Sequence, residues 1–395
     1  MSDKGLDKIL RNTDRVVPED ELAVKLAMPR KLRVKLGLDP TAPAVTLGWA
    51  VVLRKLREFQ ELGHTAVLIV GDFTAQVGDP SDRSSQRKRL TSEEVNGYAE
   101  KLLEQFGKVL LDENLEIRRN SEWLAGLDMY GLLELTSSAT VAQMLERADF
   151  AKRYETGVPI SMMEFLYPLM QGYDSVAVEA DVELGGSDQL WNLMMGRVVQ
   201  ERYGQEPQVA LTVPLLVGTD GTNKMSQSLD NYIGVDDHPA DMFGKTMSIP
   251  DDAMPEWMRL AADLDDERVS EIEEGLASGV LHPNAVKRQL ARSIVHLYHG
   301  ESAAEAAEEE FNRVFRESGV PDEIHVFTLP DDDPVQLPGL IRDAFGISGS
   351  EARRLLAQGA VKLDDQVVED NEIAREGLAG KVLRIGKRRF ARLGP

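Results

Sequence analysis

The chain has 395 residues, of which 42% are hydrophobic and 28% are charged, values that are ordinary for a globular protein. A chain of this length predicts roughly two or three domains around a substantial core. It contains no cysteine, which excludes disulfide bonds, zinc–thiolate centres and thiol catalysis. Because it has no apolar run of about 18 residues and its first residues lack the apolar core of a signal peptide, we expect a cytoplasmic protein without a membrane span.

The net charge of −22 argues against uniform coating by nucleic acid, because contacts with phosphate require local positive charge. Residues 381–392 nevertheless carry only basic charged side chains. An acidic body that ends in a basic module predicts a polyanion bound at one defined place. The alternative is a charged tail without a function.

Two buried strands are predicted near the start of the chain, at residues 32–40 and 65–71, and a helix is predicted between them at 48–63. A capping box of Thr91 and Glu94 then starts a helix, and residues 115–120 are a candidate third strand. Apolar strands that alternate with helices indicate an α/β fold with a parallel sheet covered on both faces.

Residues 164–189 combine polar side chains with an apolar helix. Spacings of four and three place Tyr167, Gln171 and Asp174 on one helical face, an arrangement suited to a small polar ligand. The alternation over residues 176–184 predicts a strand, after which Gly185 and Gly186 form a tight turn into a new helix. The polar residues that follow are expected at the carboxyl end of the sheet, where α/β proteins bind ligands.

Beyond residue 218 the pattern changes, and residues 239–320 contain only helical signals. A linker rich in proline and aspartate follows, and then a small α/β module. We therefore predict a catalytic domain with a helical insertion at about 125–160, a helical domain, a linker and a terminal module, at residues 1–235, 236–326, 327–336 and 337–395.

Neither a Walker loop nor the glycine fingerprint of dinucleotide-binding proteins is present. The first strand leads instead to Gly48 at a helix start, where free N–H groups favour a phosphate, although an ordinary strand-to-helix turn has the same pattern. The loop GTNKMSQS, residues 221–228, offers Lys224 and Ser226 as a clamp for a polyphosphate. A solvated loop would have a similar composition.

Five segments occur together in a recognisable order: GLDPTAP, GDFTAQVGDPS, YPLMQGYD, ELGGSDQ and KMSQS. In this order they resemble the bacterial type of tyrosyl-tRNA synthetase, a class I aminoacyl-tRNA synthetase. The resemblance extends over essentially the whole chain, since the terminal module is similar to the small RNA-binding domain of many bacterial members. It implies a Rossmann-like catalytic domain, a helical domain that binds the anticodon arm, and this RNA-binding module.

The resemblance also implies a role for individual residues. Asp79, Tyr167 and Gln171 would hold the ammonium of tyrosine, with Asp39 near it, while Asp174 would accept the phenol and Gln189 would lie beside tyrosine and ribose. The residues implied at ATP and in catalysis are Thr41, Thr46, Gly48, Trp49, Gly185, Gly186, Asp188, Lys224 and Ser226. The residues implied at tRNA are Arg353, Arg354, Lys387, Arg388 and Arg389.

The sequence departs from the family pattern at three places. The signature His-x-Gly-His is replaced by residues 46–49, Thr-Leu-Gly-Trp; the second lysine of Lys-Met-Ser-Lys-Ser is replaced by Gln227; and Lys35 replaces a tyrosine near the substrate phenol. Two further interpretations therefore stand beside a working synthetase: a paralogue that binds tyrosine without charging tRNA, and a non-enzymatic RNA-binding protein. We favour the synthetase, because Lys224, Ser226 and the basic module are retained.

The implied reaction joins L-tyrosine to ATP as tyrosyl-adenylate, releases pyrophosphate and transfers tyrosine to the terminal ribose of tRNA(Tyr). This chemistry depends on positioning and on stabilising phosphoryl charge, so the absence of histidine from the motifs is compatible with it. The resemblance implies Mg²⁺ accompanying ATP, no metal site or tightly bound cofactor belonging to the protein, and a homodimer formed through the helices near residues 125–160.

Overall fold

The computed structural model describes residues 3–79, 90–316, 324–364, 366–368, 370–386 and 389–394. The chain forms two compact units, Met1–Ala304 and Glu305–Pro395. Within the described ranges, no helix is both long and apolar enough to cross a membrane. The finer domain boundaries at residues 235, 326 and 336 stay predictions.

The first unit contains a six-stranded sheet with helices around it. Its strands are β1 (Arg15–Val17), β2 (Arg33–Leu38), β3 (Thr65–Val70), β4 (Leu115–Arg119), β5 (Val182–Gly186) and β6 (Val209–Val213). Its helices are α1 (Asp3–Leu10), α2 (Glu21–Leu26), α3 (Leu47–Glu61), α4 (Ser92–Phe106), α5 (Ser121–Leu124), α6 (Met129–Thr136), α7 (Val141–Met144), α8 (Ala148–Glu155), α9 (Met162–Ala177), α10 (Leu190–Arg202), α11 (Pro239–Met247), α12 (Met254–Leu260), α13 (Asp266–Ala277) and α14 (Pro283–His299). Helix α15 (Glu301–Arg316) leads into the second unit.

The strand order is β1-β6-β5-β2-β3-β4, with β2 to β6 parallel and β1 antiparallel at the edge. The chain runs outward from β2 through β3 to β4, and then returns to place β5 on the other side of β2. The strand order thus reverses between β2 and β5, the point at which open α/β sheets bind ligands. The predicted α/β fold with a parallel sheet is confirmed.

Local sequence signals account for several helix starts. The side chain of Thr46 caps α3, and the predicted capping box of Thr91 and Glu94 is present at α4. Both satisfy N–H groups that a helix leaves free in its first turn. Helices α9 and α10 pack closely because Gly172 lacks a Cβ, which would lie 2.7 Å from Val199 Cγ2.

The strand predicted over residues 176–184 is wrong in its first half, because α9 continues to Ala177 and β5 starts only at Val182. The alternation there comes from a helix end: Glu179 adopts a left-handed conformation, with a φ of 50°, between the buried residues Val178 and Ala180. The tight turn predicted at Gly185 and Gly186 is also wrong. Both glycines continue β5 and pair with β6, so the turn comes after them.

The second unit has a five-stranded sheet of order β10-β9-β12-β13-β7 and a two-stranded pair, β11-β8. Its strands are β7 (Val326–Thr328), β8 (Val335–Gln336), β9 (Val361–Leu363), β10 (Gln366–Val367), β11 (Glu372–Ile373), β12 (Val382–Ile385) and β13 (Arg389–Gly394), and its helices are α16 (Leu337–Phe345) and α17 (Gly349–Ala357). Leu340, Leu356 and Leu383 lie in one apolar core. The predicted small α/β module is therefore a folded unit with its own core.

Candidate active site

The candidate site begins where β2 ends, at the reversal of the sheet order. Asp39 follows β2 directly, and its carboxylate accepts hydrogen bonds from Tyr167 Oη at 3.0 Å and from Thr74 Oγ1 at 2.7 Å. Tyr167 comes from α9, whereas Thr74 lies in the loop after β3. Three separate elements therefore meet at one carboxylate, as the position of Asp39 after a buried strand predicts.

A chain of hydrogen bonds connects Asp39 to Asp174. Asn120, at the end of β4, donates to Thr74 Oγ1 at 2.9 Å and to Asp174 Oδ2 at 3.4 Å. Trp123 Nε1 donates to the other oxygen, Asp174 Oδ1, at 2.8 Å. Asp174 is only 4% exposed, so these donors supply the hydrogen bonds that water would otherwise make.

Burial raises the pKa of two carboxyls of the site, Asp39 and Asp174. Burial, and then the negative charges of Asp79 and Asp174, raise the pKa of Asp39 to about 7 against the hydrogen bonds from Thr74 and Tyr167. Burial likewise raises the pKa of Asp174 to about 7, although the charge of Lys35 opposes the rise. Because these carboxyls bind protons more tightly in the folded state, they make folding less favourable as the pH rises from about 4 to about 7. A cationic ligand would relieve this repulsion.

Lys35 is fully buried and forms an ion pair of 2.9 Å with Glu183, which is 1% exposed. Its ammonium also donates to Ser175 Oγ at 2.7 Å and to the main-chain oxygen of Gln171 at 2.8 Å. The side-chain nitrogen of Gln171 donates in turn to Glu183 at 3.1 Å. The predicted polar face of α9 is therefore hydrogen-bonded to a buried ionic network.

A ring of four side chains lies at the start of α10. Gln189 Nε2 donates to Asp79 at 3.0 Å, and Asn192 donates to Gln189 Oε1 at 2.9 Å. Arg147 closes the ring, donating to Asn192 Oδ1 at 3.1 Å and lying 3.6 Å from Asp79. The ring keeps the two predicted residues Asp79 and Gln189 together.

The loop 221–228 packs against the start of α3. The Gly48 N–H donates to Met225 Sδ at 3.3 Å, and Gln227 Nε2 donates to the main-chain oxygen of Ala44 at 2.8 Å. Lys224 pairs with Asp188 at 2.9 Å, with both side chains partly exposed. The loop therefore brings Lys224, Gly48 and Asp188 to one end of the sheet.

Other predicted residues have mainly structural contacts in the absence of a ligand. Thr46 Oγ1 accepts the N–H of Trp49 at 3.3 Å as the cap of α3, and the Thr41 N–H donates to the main-chain oxygen of Asp39 at 2.8 Å. Ser226 Oγ lies 2.8 Å from Ser228 Oγ. Their roles toward ATP, and those of Gly185 and Gly186, stay predictions.

In the second unit, Arg353 and Arg354 of α17 and Arg389 of β13 are exposed. Lys387 and Arg388 lie outside the described residues. The RNA-binding role of all five side chains stays a prediction.

Comparisons with known proteins give the family. The model of the family described as "tRNA synthetases class I (W and Y)" matches residues 28–316. Tyrosine–tRNA ligases of Moorella thermoacetica and Thermotoga maritima are 51% and 48% identical to this chain, covering 97% and 98% of it and 94% and 96% of their own lengths. This chain belongs to the tyrosyl-tRNA synthetases.

Solved structures of this family share the fold. The tyrosyl-tRNA synthetase of Archaeoglobus fulgidus, solved with L-tyrosine, superposes with a TM-score of 0.63 at 25% identity, covering 77% of this chain and 98% of that one. A truncated mitochondrial tyrosyl-tRNA synthetase of Aspergillus nidulans gives 0.65 at 21% identity over 79% of this chain. The predicted family and Rossmann-like fold class are confirmed.

Several residues of this synthetase site were not assigned from sequence: Asn120, Trp123, Arg147, Glu183 and Asn192. Asn120 offered the clearest signal, because it is a polar residue at the end of a predicted strand, 115–120. Arg147 directly precedes α8, and the others lie in helices or within a strand. No local pattern at these positions distinguishes a pocket residue from an ordinary buried or capping one.

Gly71 illustrates a steric requirement of the site. A Cβ at this position would lie 2.0 Å from Asp39 Oδ1 and 2.5 Å from Thr74 Oγ1. We expect Gly71→Ala to displace the Asp39 carboxylate and weaken tyrosine binding about tenfold, the worth of a hydrogen bond to a charged group. Titration calorimetry with L-tyrosine measures the effect.

Gly97→Ala is the matched control for Gly71→Ala, because Gly97 lies in α4 of the same unit and a Cβ there meets nothing within 4 Å. Its tyrosine affinity should stay within twofold of the original. Equal affinities for both variants would show that Asp39 does not need its present position.

Proposed function

We propose that this chain is a working tyrosine–tRNA ligase, which activates L-tyrosine with ATP and transfers it to the terminal ribose of tRNA(Tyr). The observation that carries this proposal is the hydrogen-bonded chain from Asp39 through Thr74 and Asn120 to Asp174. It supplies the partly buried carboxylate of Asp39 and the buried carboxylate of Asp174 on one polar wall, which suits a ligand with a cationic and a phenolic end. Among the residues that the structure describes, no feature favours a paralogue that binds tyrosine without charging tRNA.

The amino acid would lie along this wall. Asp39, Asp79, Tyr167 and Gln171 would surround its ammonium. The carboxylates present negative charge, and the neutral Tyr167, whose O–H donates to Asp39, can accept from the ammonium through its phenol oxygen. Burial, and then the charge of Asp39, raise the pKa of Tyr167 well above its usual value. Asp174 would accept the phenol hydroxyl, and Gln189 would lie beside the ring and the ribose of ATP.

In the first step an oxygen of the tyrosine carboxylate attacks the α-phosphorus of ATP, and the bond to the leaving pyrophosphate breaks. Lys224 would leave Asp188 and neutralise the phosphates, an exchange that costs little because exposed ion pairs contribute about 0–1 kcal/mol. Asp188, Gly185, Gly186 and Gly48 would border the nucleotide.

Mg²⁺ would arrive with ATP as part of the substrate, bound mainly by phosphate oxygens. Among the residues that the structure describes, no group of three His, Asp or Glu side chains could hold a metal ion. The protein's own part in this step is therefore the placement of both substrates.

In the second step the ribose hydroxyl of tRNA attacks the carbonyl carbon of the adenylate, and AMP leaves. The tRNA would be held by the helices after residue 236 and by the basic side chains of the terminal module, which include Arg353, Arg354 and Arg389. Their contacts with phosphate predict binding that weakens with salt. The reaction would take place in the cytoplasm.

The test of the proposed function is tyrosine-dependent exchange of labelled pyrophosphate into ATP, followed by charging of tRNA(Tyr). We expect both, in spite of the altered residues 46–49 and Gln227. Tyrosine binding without exchange would overturn the proposal in favour of the paralogue. Exchange without charging would remove only the tRNA step.

We also propose a homodimer formed through α6, α7 and α8. Large apolar side chains are exposed along this region of the chain: Met129, Tyr130, Leu133, Val141, Tyr154 and Met162. Exposed large apolar side chains that are concentrated in one region of a chain often mark a protein interface.

Tyr130→Asp is expected to dissociate this dimer, because it places a charge in the apolar interface. Sedimentation should give twice the chain mass of 43.8 kDa for the original protein and a single chain for the variant. Val280→Asp is the matched control, since Val280 is 81% exposed and Tyr130 is 82% exposed. A monomeric original protein, or dissociation by both variants, would contradict this interface.

A further inference from the structure

The ion pair between Lys35 and Glu183 has no role in the reaction described above. The two residues are direct neighbours on the parallel strands β2 and β5, and they are 0% and 1% exposed. A buried ion pair usually contributes little stability relative to an apolar pair of the same size, because both charges lose their hydration. Its presence next to the side chains proposed to bind tyrosine therefore requires an explanation other than stability.

Both charges of this pair are heavily hydrogen-bonded. The Lys35 ammonium has three donors, and it contacts three acceptors: Glu183, Ser175 Oγ and the main-chain oxygen of Gln171. The Glu183 carboxylate also accepts from Ser175 at 3.2 Å and from Gln208 Nε2. Such saturation fixes the carboxylate in one place and leaves it little freedom to move.

The fixed carboxylate determines how Gln171 is oriented. Gln171 Nε2 donates to Glu183 Oε1 at 3.1 Å, so the amide oxygen of Gln171 is turned away from Glu183. Within the described residues this oxygen accepts no hydrogen bond from the protein, and the Gln171 side chain is only partly buried. Without Glu183, the amide could rotate by half a turn and present its NH₂ group to the ligand instead.

We propose that Lys35 and Glu183 are positioning residues, which hold Gln171 with its amide oxygen toward the ligand and so select an amino acid carrying a free ammonium. Lys35 holds Glu183 in place through their ion pair, and Glu183 anchors the amide. This inference rests on the proposed function, because it takes the amino group of L-tyrosine as the partner of Gln171.

Two double variants distinguish the effect of the hydrogen bond that anchors Gln171 from the effect of the charges of Lys35 and Glu183. In Lys35→Met with Glu183→Met both charges are removed and the acceptor for Gln171 is lost, while the unbranched side chains fill the space. In Lys35→Met with Glu183→Gln the charges are also removed, but an amide oxygen remains to accept from Gln171. Thermal unfolding of both verifies the fold, and Glu183→Leu replaces Glu183→Met if methionine does not fold.

The readout is the Kd of two probes, L-tyrosine and 3-(4-hydroxyphenyl)propanoate, which has the phenol and the carboxylate but no amino group. In the methionine double variant we expect L-tyrosine to bind about tenfold more weakly, the worth of a hydrogen bond to a charged group. The propanoate should change by less than threefold. In the glutamine double variant L-tyrosine should also bind within about threefold of the original.

An equal loss for both probes, or an equal loss in both double variants, would overturn the positioning role, because a purely structural pair would produce it. Unchanged tyrosine binding in the methionine variant would overturn it as well, while leaving the proposed function intact. Failure of the original protein to bind L-tyrosine would overturn the proposed function and this inference with it.

Discussion

Asp174→Asn is expected to weaken L-tyrosine binding by roughly tenfold to a hundredfold, the range for hydrogen bonds to a charged group, while changing L-phenylalanine binding by less than threefold. The reason lies in the two donors that already contact this carboxylate, Trp123 and Asn120. An asparagine has a single side-chain oxygen, which would accept the hydrogen bonds from these two donors. Its NH₂ group would then face the phenol and could not accept its proton.

Pyrophosphate exchange with each amino acid measures this selectivity as a ratio of kcat/KM values. Asp181→Asn is the matched control, because Asp181 is also buried, at 7% exposure, but lies just before β5 at the opposite end of the strand. It should lower stability, since Asp181 pairs with Arg30 at 2.5 Å, and leave the ratio unchanged. An equal loss for both amino acids in Asp174→Asn would remove Asp174 from recognition of the phenol.

Lys224→Met is expected to slow adenylate formation on the order of a hundredfold, the usual cost of losing one group that stabilises transition-state charge. The Kd of L-tyrosine should change by less than twofold. Lys224 is the one lysine retained from the family signature in this loop, and Gln227 occupies the other position with its amide bonded to Ala44. Lys224 is therefore the residue of this loop that supplies positive charge to the leaving pyrophosphate.

Single-turnover formation of tyrosyl-adenylate measures this effect directly. Lys245→Met is the matched control, because Lys245 forms a similar partly exposed ion pair, of 2.6 Å, with Asp237 in the same unit. Its rate should stay within twofold of the original. A rate that is retained in Lys224→Met would show that other groups neutralise the phosphates.

How much of the site was predictable depends on whether its signals are local. Asp39 is predicted from the family motifs alone, and Tyr167 from a helical spacing as well as those motifs. The structure joins the two residues by a hydrogen bond. The prediction for the middle of the ELGGSDQ segment was wrong. Its glycines were predicted as a turn but remain in β5, because pairing with β6 extends the strand to Gly186.

Lys35 is the most informative case. In the sequence it is a basic residue in the middle of a predicted buried strand and a departure from the family pattern, with no indication of a partner. In the structure it pairs with Glu183 on the adjacent strand, and the partners are 148 residues apart in the chain (183 minus 35). Parallel strands bring such residues together through a crossover connection, so no local pattern reveals the pairing.

The sequence by itself determined the parallel α/β architecture, the helix caps and the family. The reason is that the hydrophobic periodicity, the capping residues and the family motifs each depend on residues that are close together in the chain. Only the tertiary structure decided how those residues act together: which donors hold Asp174, how Gln171 is anchored, and that Lys224 rests on Asp188. Hydrogen bonds and ion pairs of this kind depend on a few ångströms between distant segments, and those distances exist only once the sheet has formed.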